Sequence, residues 1–254
     1  MKTFLTSAAA ACLILFAGAS AQGELLNVTT LYVPGAIDTE AYGIDGGNIV
    51  GSYYDSSYNA HGFSYDGSTY TTLDVLGASR TYAYGIDGSN IVGYYYDGSY
   101  HGFSYDGSTY TPFDVPGASR TYAYGIDGGN IVGYYKDGSG NHGFSYDGTT
   151  YTTLDVPGAG GTYAWGIDGG NIVGYYKDGS YNYHGFSYDG TTYTTLDVPG
   201  ASNTEAYGID GGNIVGYSYV GSEGSYSGFL AVIPEPATLS LLAVGMLMAC
   251  RRRR

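Results

Sequence analysis

The chain is built from one unit repeated nearly unchanged. The phrase H-G-F-S-Y-D-G, then Y-T-x-x-D-V, then Y-A-Y-G-I-D-G-x-N-I-V-G-Y-Y, returns about every 41 residues. His61, His101, His142 and His184 mark the period, at separations of 40, 41 and 42 residues. Residues 61–100 and 101–140 are identical at 34 of 40 positions. A unit this short cannot bury its own apolar face, so neighbouring copies must cover it. Repetition therefore decides the architecture before any single residue is considered.

Each unit reads as four strands. In residues 85–115 they are Gly85 to Asp87, Asn90 to Tyr96, His101 to Tyr105 and Tyr110 to Val115, rich in valine, isoleucine, threonine and tyrosine. Those residues suit a pleated, half-buried surface. No apolar pattern of helical period runs through residues 25–232. Three joints are tight and carry Asp-Gly, which supplies the positive φ angles of hairpin turns. The fourth, D-V-P-G-A-S-R-T-Y-A, is longer, and its proline ends the ladder so that the chain crosses to a new sheet. Three hairpins and a crossover make a four-stranded antiparallel meander, and the period falls in the range of propeller blades.

Counting the phrases sharpens this. G-I-D occurs five times, while H-G-F occurs four times and then once, degenerate, as Ser227-Gly228-Phe229. Y-T-x-x-D-V-P-G also occurs five times, but its first copy, at 28–35, precedes everything else. The chain thus starts with an outer strand and stops one strand short of a blade. The expected fold is an all-β, five-bladed β-propeller, closed by residues 28–33 pairing beside 226–231. An open β-solenoid is the rival, and it would leave sheet faces exposed.

The two ends read as addresses. Lys2, an apolar run and Ala19-Ser20-Ala21 describe a secretory signal peptide over 1–21, cut after Ala21. The far end reads Pro234-Glu235-Pro236, then a mostly apolar stretch over 237–250, then Arg251, Arg252, Arg253 and Arg254. Residues 234–254 resemble the PEP-CTERM sorting tail of Gram-negative bacteria. The resemblance implies an exosortase-type membrane protease as partner, transient tethering to the inner membrane through an apolar helix, and release to the cell surface or extracellular matrix. The arginines hold that end on the cytoplasmic side. Fourteen residues rise only about 21 Å as a helix, short of a roughly 30 Å hydrocarbon core, which suits a temporary tether.

Between the ends lies one domain, 22–233. Both cysteines, Cys12 and Cys250, fall outside it, so packing alone must hold it together. Its bases are Arg80, Arg120, Lys136 and Lys177, which leaves a net charge of −18. Such a surface repels phosphate backbones and argues against nucleic acid as a partner. H-G-F-S-Y, G-I-D and N-I-V-G-Y also resemble the HAF-type extracellular repeat, H-A-F, G-I-N and I-V-G, with glycine for alanine and aspartate for asparagine. That resemblance implies an extracellular location and no particular activity.

Two rings of residues carry the candidate chemistry. Asp45, Asp87, Asp127, Asp168 and Asp210 end the innermost strands and are expected to surround one channel mouth. Five carboxylates there can hold a hard cation such as Ca2+. The plainer alternative has each aspartate starting its turn by bonding its own backbone. Tyr42, Tyr84, Tyr124, Trp165 and Tyr207 precede G-I-D, and alternation puts them on the face of the following isoleucine, with alanine and glycine opposite. They serve inter-blade packing or sugar stacking. The four histidines sit on different blades, cannot converge on one metal, and are expected to be structural. No catalytic constellation and no phosphate-binding glycine loop appears. The expected function is non-enzymatic adhesion or glycan binding to an extracellular polysaccharide, with a structural matrix protein and a polysaccharide hydrolase as alternatives.

Overall fold

The computed structural model describes residues 29–221 and 224–233. The chain divides into compact units Met1–Thr30 and Leu31–Arg254, and every strand lies in the second. The signal peptide and the apolar sorting segment fall outside the described residues. Among the described residues every regular element is a strand, and no helix is long and apolar enough to cross a membrane.

Nineteen strands form five antiparallel sheets, the blades of a five-bladed propeller. Blade 1 holds β1 (Asp38–Asp45), β2 (Asn48–Tyr54), β3 (Ala60–Tyr65) and β4 (Tyr70–Leu73). Blade 2 holds β5 (Arg80–Asp87), β6 (Asn90–Tyr96), β7 (Tyr100–Tyr105) and β8 (Tyr110–Phe113). Blade 3 holds β9 (Arg120–Asp127), β10 (Asn130–Lys136), β11 (Asn141–Tyr146) and β12 (Tyr151–Leu154). Blade 4 holds β13 (Gly161–Asp168), β14 (Asn171–Lys177), β15 (Tyr183–Tyr188) and β16 (Tyr193–Leu196). Blade 5 holds β17 (Asn203–Asp210), β18 (Asn213–Val220) and β19 (Ser225–Val232). Each blade is a simple meander in chain order.

The core lies between blades, as the repeat requires. Val50 and Leu73 of blade 1 pack on Ala83, Ile91 and Phe103 of blade 2. Val92 and Phe113 do the same on blade 3, and Val132 and Leu154 on blade 4. Val173 and Leu196 close against Ala206, Ile214 and Phe229 of blade 5. Each crossover is pinned where it enters its blade: the amide of Val75 donates to Thr81 Oγ1 at 3.2 Å, and Val115, Val156 and Val198 donate to Thr121, Thr162 and Thr204.

Two expectations are corrected. The described part of the expected closing strand 28–33 does not supply the fourth strand of blade 5: among the described residues β19 pairs with β18 alone, and 29–33 form no strand. Val33 instead packs on Phe63 and Ala36, and its amide donates to Thr39 Oγ1. The Val-x-Gly turn at the end of this phrase is thus a lead-in clasp for the blade that follows, and the first copy, Val33-Pro34-Gly35, clasps blade 1 as the others clasp theirs. The innermost strands also fail to alternate simply. Each carries a β-bulge at the aromatic, so Tyr84 has no partner between the pairs Ala83↔Gly93 and Gly85↔Val92. The extra residue puts Ala83 and Ile86 in the same core and turns the aromatic toward the axis.

The ring is ajar between blades 5 and 1. β5 packs on β1, β2 and β3, and β9, β13 and β17 each pack in the same way on the preceding blade. No comparable packing joins blade 5 to β1 among the described residues. Val50, Val92, Val132 and Val173 are fully buried, but their counterpart Val215 is 51% exposed, and Ile44 across the seam is 70% exposed.

Candidate functional site

The predicted aromatics meet at the axis. Tyr42 stacks on Tyr84 at 4.3 Å between ring centroids, and Tyr124 on Trp165 at 3.9 Å. Tyr84 meets Tyr124 edge-on at 4.8 Å, and Trp165 meets Tyr207 edge-on at 4.8 Å. Neighbouring rings therefore cover part of each ring surface, although Tyr42 stays 40% exposed. Burial pushes the hydroxyls of Tyr84, Tyr94 and Tyr124 above their usual range, so they stay protonated.

The predicted aspartates line one cavity of about 820 Å³ at the mouth of the axis, together with Ile86, Ile126, Ile167 and Tyr42. Asp45 Oδ2 accepts the amide of Gly88 at 2.8 Å. Asp127 accepts that of Gly169 and Asp168 that of Gly211, each at 2.9 Å. These carboxylates bind the next blade's turn, a clasp between blades. Among the described residues no three His, Cys, Asp or Glu side chains are grouped as metal ligands.

The histidines are more structured than the sequence suggested. His61 Nδ1 lies 2.9 Å from Asp74 Oδ2, and Nε2 lies 3.5 Å from Asp55. His101 sits between Asp114 and Asp97, His142 between Asp155 and Asp137, and His184 between Asp197 and Asp178. Each imidazole also stacks on a tyrosine, Tyr53 on His61 at 5.1 Å. Burial lowers the pKa of His61, but the hydrogen bonds and charges of Asp74 and Asp55 outweigh it, and the net shift is upward; His184 behaves likewise with Asp197 and Asp178. The signal was present in the sequence: an aspartate stands 13 residues beyond each histidine. The fifth blade has Ser227 in place of histidine.

A groove that sequence reasoning missed opens between blades 1 and 2. It holds about 500 Å³ and is lined by Tyr65, Tyr105, Ser64, Thr71, Asn48 and Ser89, among others. Its tyrosines are fixed from both sides. Tyr65 stacks on Tyr70 at 4.4 Å and donates its hydroxyl to Gly67 O; Tyr105 lies 4.5 Å from Tyr110 and donates to Gly107 O. Tyr110 is pushed up to about 12, by burial first and then by Tyr105 and Asp74. The groove's carboxylate, Asp66, accepts the Ser68 hydroxyl and the amides of Ser68 and Thr69, which hold it below the usual range. It is a turn residue.

Register repeats this lining. Ser64, Ser104, Ser145 and Ser187 stand opposite the four buried valines, with Tyr65, Tyr105, Tyr146 and Tyr188 next in line and Thr71, Thr111, Thr152 and Thr194 across the ladder. Blade 5 breaks the series with Leu230 and Ala231.

Several solved structures are similar to this chain. The β-propeller domain of the Trilobed protease from Pyrococcus furiosus, described as having an open velcro topology, superposes with a TM-score of 0.56 at 11% identity, covering 77% of this chain and 67% of that one. A lectin of Aleuria aurantia in complex with α-methyl-L-fucoside is similar at a TM-score of 0.43 and 20% identity over 77% of each chain. The acylaminoacyl peptidase of Pyrococcus horikoshii gives 0.49 at 13% identity, over 71% of this chain and 32% of that one. No curated relative matches the sequence. The terminal residues do have a match: 232–254 are a PEP-CTERM protein-sorting motif, the mark of a bacterial chain exported and sorted at the membrane by exosortase.

Proposed function

We propose that this exported propeller is a cell-surface or matrix protein that binds neutral carbohydrate in its inter-blade grooves, without catalysis. The observation that carries the reading is the groove of about 500 Å³ between blades 1 and 2, with the recurrence of its serine, threonine and tyrosine positions at the next two junctions. Immobilised tyrosine rings offer flat apolar area at low entropic cost, and the hydroxyls of Ser64 and Thr71 and the amide of Asn48 suit a hydroxyl-rich ligand. No lysine or arginine lines the groove, and the domain's strong negative charge opposes uronic or sulfated sugars. Each site alone is expected to be weak, near a millimolar Kd or about 4 kcal/mol. Repetition on one rigid ring raises avidity toward a polymer. Asp66, held ionised by its own turn, is unsuited to act as the acid of a hydrolase.

Calorimetry with neutral oligosaccharides tests this. Binding is expected at more than one equivalent site. Ser89→Trp, which fills the first groove from an exposed turn, is expected to reduce the number of sites by one and leave the others intact. Unchanged stoichiometry in that variant, or preference for anionic glycans, refutes the assignment. A sugar-release assay on the same polymers tests the non-catalytic part: released reducing ends would overturn it.

A further inference from the structure

The four complete copies differ from one another chiefly at one rim. Arg80 opens β5, Tyr96 stands opposite it at the end of β6, and Tyr100 stands opposite Tyr96 at the start of β7. The same three positions hold Asp38, Tyr54 and Ala60 in blade 1, and Arg120, Lys136 and Asn141 in blade 3. In blade 4 they hold Gly161, Lys177 and Tyr183. The turn that joins the second strand to the third differs in length as well. The rest of the unit changes little from blade to blade. The contacts that hold a blade against its neighbour repeat from copy to copy, so packing does not ask for this variety. The aspartates of G-I-D end the inner strands that Arg80 and Arg120 open, so the variable rim lies at the other end of those strands from the aspartate cavity.

All four bases of the domain stand on this rim. Among the described residues every ion pair joins a histidine to an aspartate, and none reaches Arg80, Arg120, Lys136 or Lys177. Arg120 and Lys136 are exposed and directly opposed across the β9–β10 ladder, an arrangement of like charges that costs stability. Tyrosine rings extend the patch. Arg80 Cζ lies 5.9 Å from the Tyr96 ring centroid, Tyr96 lies 4.9 Å from Tyr100, and Arg120 Cζ lies 5.8 Å from Tyr100. Cations and rings thus alternate from blade 2 to blade 3. The carboxylates of the adjoining turns are engaged, Asp97 with His101, and Asp137 with Ser139 and His142.

We infer that this strip docks an acidic segment of a partner protein, with its carboxylates on Arg80, Arg120 and Lys136 and its backbone along Tyr96 and Tyr100. Tyrosine and arginine are among the residues that carry most of the energy at protein interfaces. A guanidinium takes a carboxylate through two parallel hydrogen bonds. A repeating glycan is served by identical sites, which the inter-blade grooves supply. Blades that differ suit a ligand whose successive groups differ, and a polypeptide is such a ligand. Long polyanions are disfavoured, because the domain's negative charge repels them beyond the strip.

Binding of the full chain to an array of acidic hexapeptides tests the inference. Each peptide carries aspartate or glutamate, and a twin carries asparagine or glutamine in their place. At about 0.15 M salt the acidic peptides are expected to bind about tenfold or more tightly than their twins. Arg120→Glu together with Lys136→Glu is expected to abolish that preference and to leave neutral oligosaccharide binding in the grooves unchanged. Arg80→Gln reverses no charge, is expected to weaken the acidic peptides about threefold or more, and reads the same strip if the double variant misfolds. Equal binding of the acidic and amide arrays, or a preference unchanged in either folded variant, overturns the proposal. Tighter binding of a uronic-acid oligomer than of any acidic peptide overturns it too, and assigns the rim to a glycan.

Discussion

At the residue scale, glycine records where blades touch. A Cβ built on Gly125 falls 2.7 Å from the carbonyl oxygen of Trp165 in the next blade and 2.9 Å from Val132. Backbone cannot yield there, so Gly125→Ala is expected to destabilise by about 1–3 kcal/mol. Gly208 holds the same place in blade 5 and meets only Val215, at 3.2 Å. Gly208→Ala is expected to be neutral or to stabilise by up to about 1 kcal/mol, through the unfolded chain. Thermal melts of the two variants decide it, and equal losses would mean that the seam is packed like the other junctions. The histidine clips make a second prediction at this scale. The pKa of His61 and His184 is raised on folding, so their stabilisation is complete below about 6.5 and fades as pH rises through the folded value. The flanking Asp55 and Asp178 are lowered to about 2, chiefly by hydrogen bonds from Asn59 and Asn182, and contribute until pH falls that far. Tm is expected to drop between pH 6 and 8 in the wild type and to flatten in Asp74→Asn/Asp197→Asn. A parallel slope in that variant removes the clips from the account.

At the element scale, period and turn chemistry made the blades legible. Four strands, three tight turns and one crossover were readable because Asp-Gly and D-V-P-G each tolerate few backbone paths. The bulge was not readable. Y-A-Y-G-I-D alternates cleanly on paper, and only Gly85, where an added Cβ would fall 2.7 Å from the Tyr124 carbonyl oxygen, shows how closely the next blade's backbone approaches the kinked strand. The turns of blades 1 and 4 hid a further device. Each is one residue longer than the corresponding turn of blade 3, and Tyr58 and Tyr181 take positive φ in the absence of a glycine at that point. Lys177 Nζ lies over Tyr181 at 3.9 Å, which helps to hold one of them. The inter-blade groove escaped sequence reasoning for a different reason. Its walls come from two copies of the same phrase, and a one-dimensional reading lists Ser64, Tyr65 and Ser89 without bringing blade 1 against blade 2. The Asp–His–Asp clip was hidden in the same way, by a separation of 13 residues that only the β3–β4 hairpin makes short.

At the scale of the whole molecule, the open seam turns a ring into a short linear array. Each inner blade has two neighbours, and blades 1 and 5 have one. In a repeat protein, local stability follows the number of covered interfaces. Blade 3 is flanked on both sides by fully buried Val92 and Val132, whereas blade 5 shows Val215 and Leu230 to solvent. Native-state exchange should therefore rank β9–β11 as the last amides to open and β17–β19 with β1 as the first, the gap amounting to about 2 kcal/mol or more for the loss of one interface. Denaturant should shift the outer blades before the centre, giving a transition broader than two-state. The same logic predicts the effect of cutting a methyl pair from each kind of junction. Val132→Ala is expected to cost about 1.5–3 kcal/mol and to slow nothing but the central blades' closing, while Val215→Ala costs under about 0.5 kcal/mol in the chain ending at Ile233. If the two variants melt alike there, the fifth junction is closed in solution and the array is a ring after all.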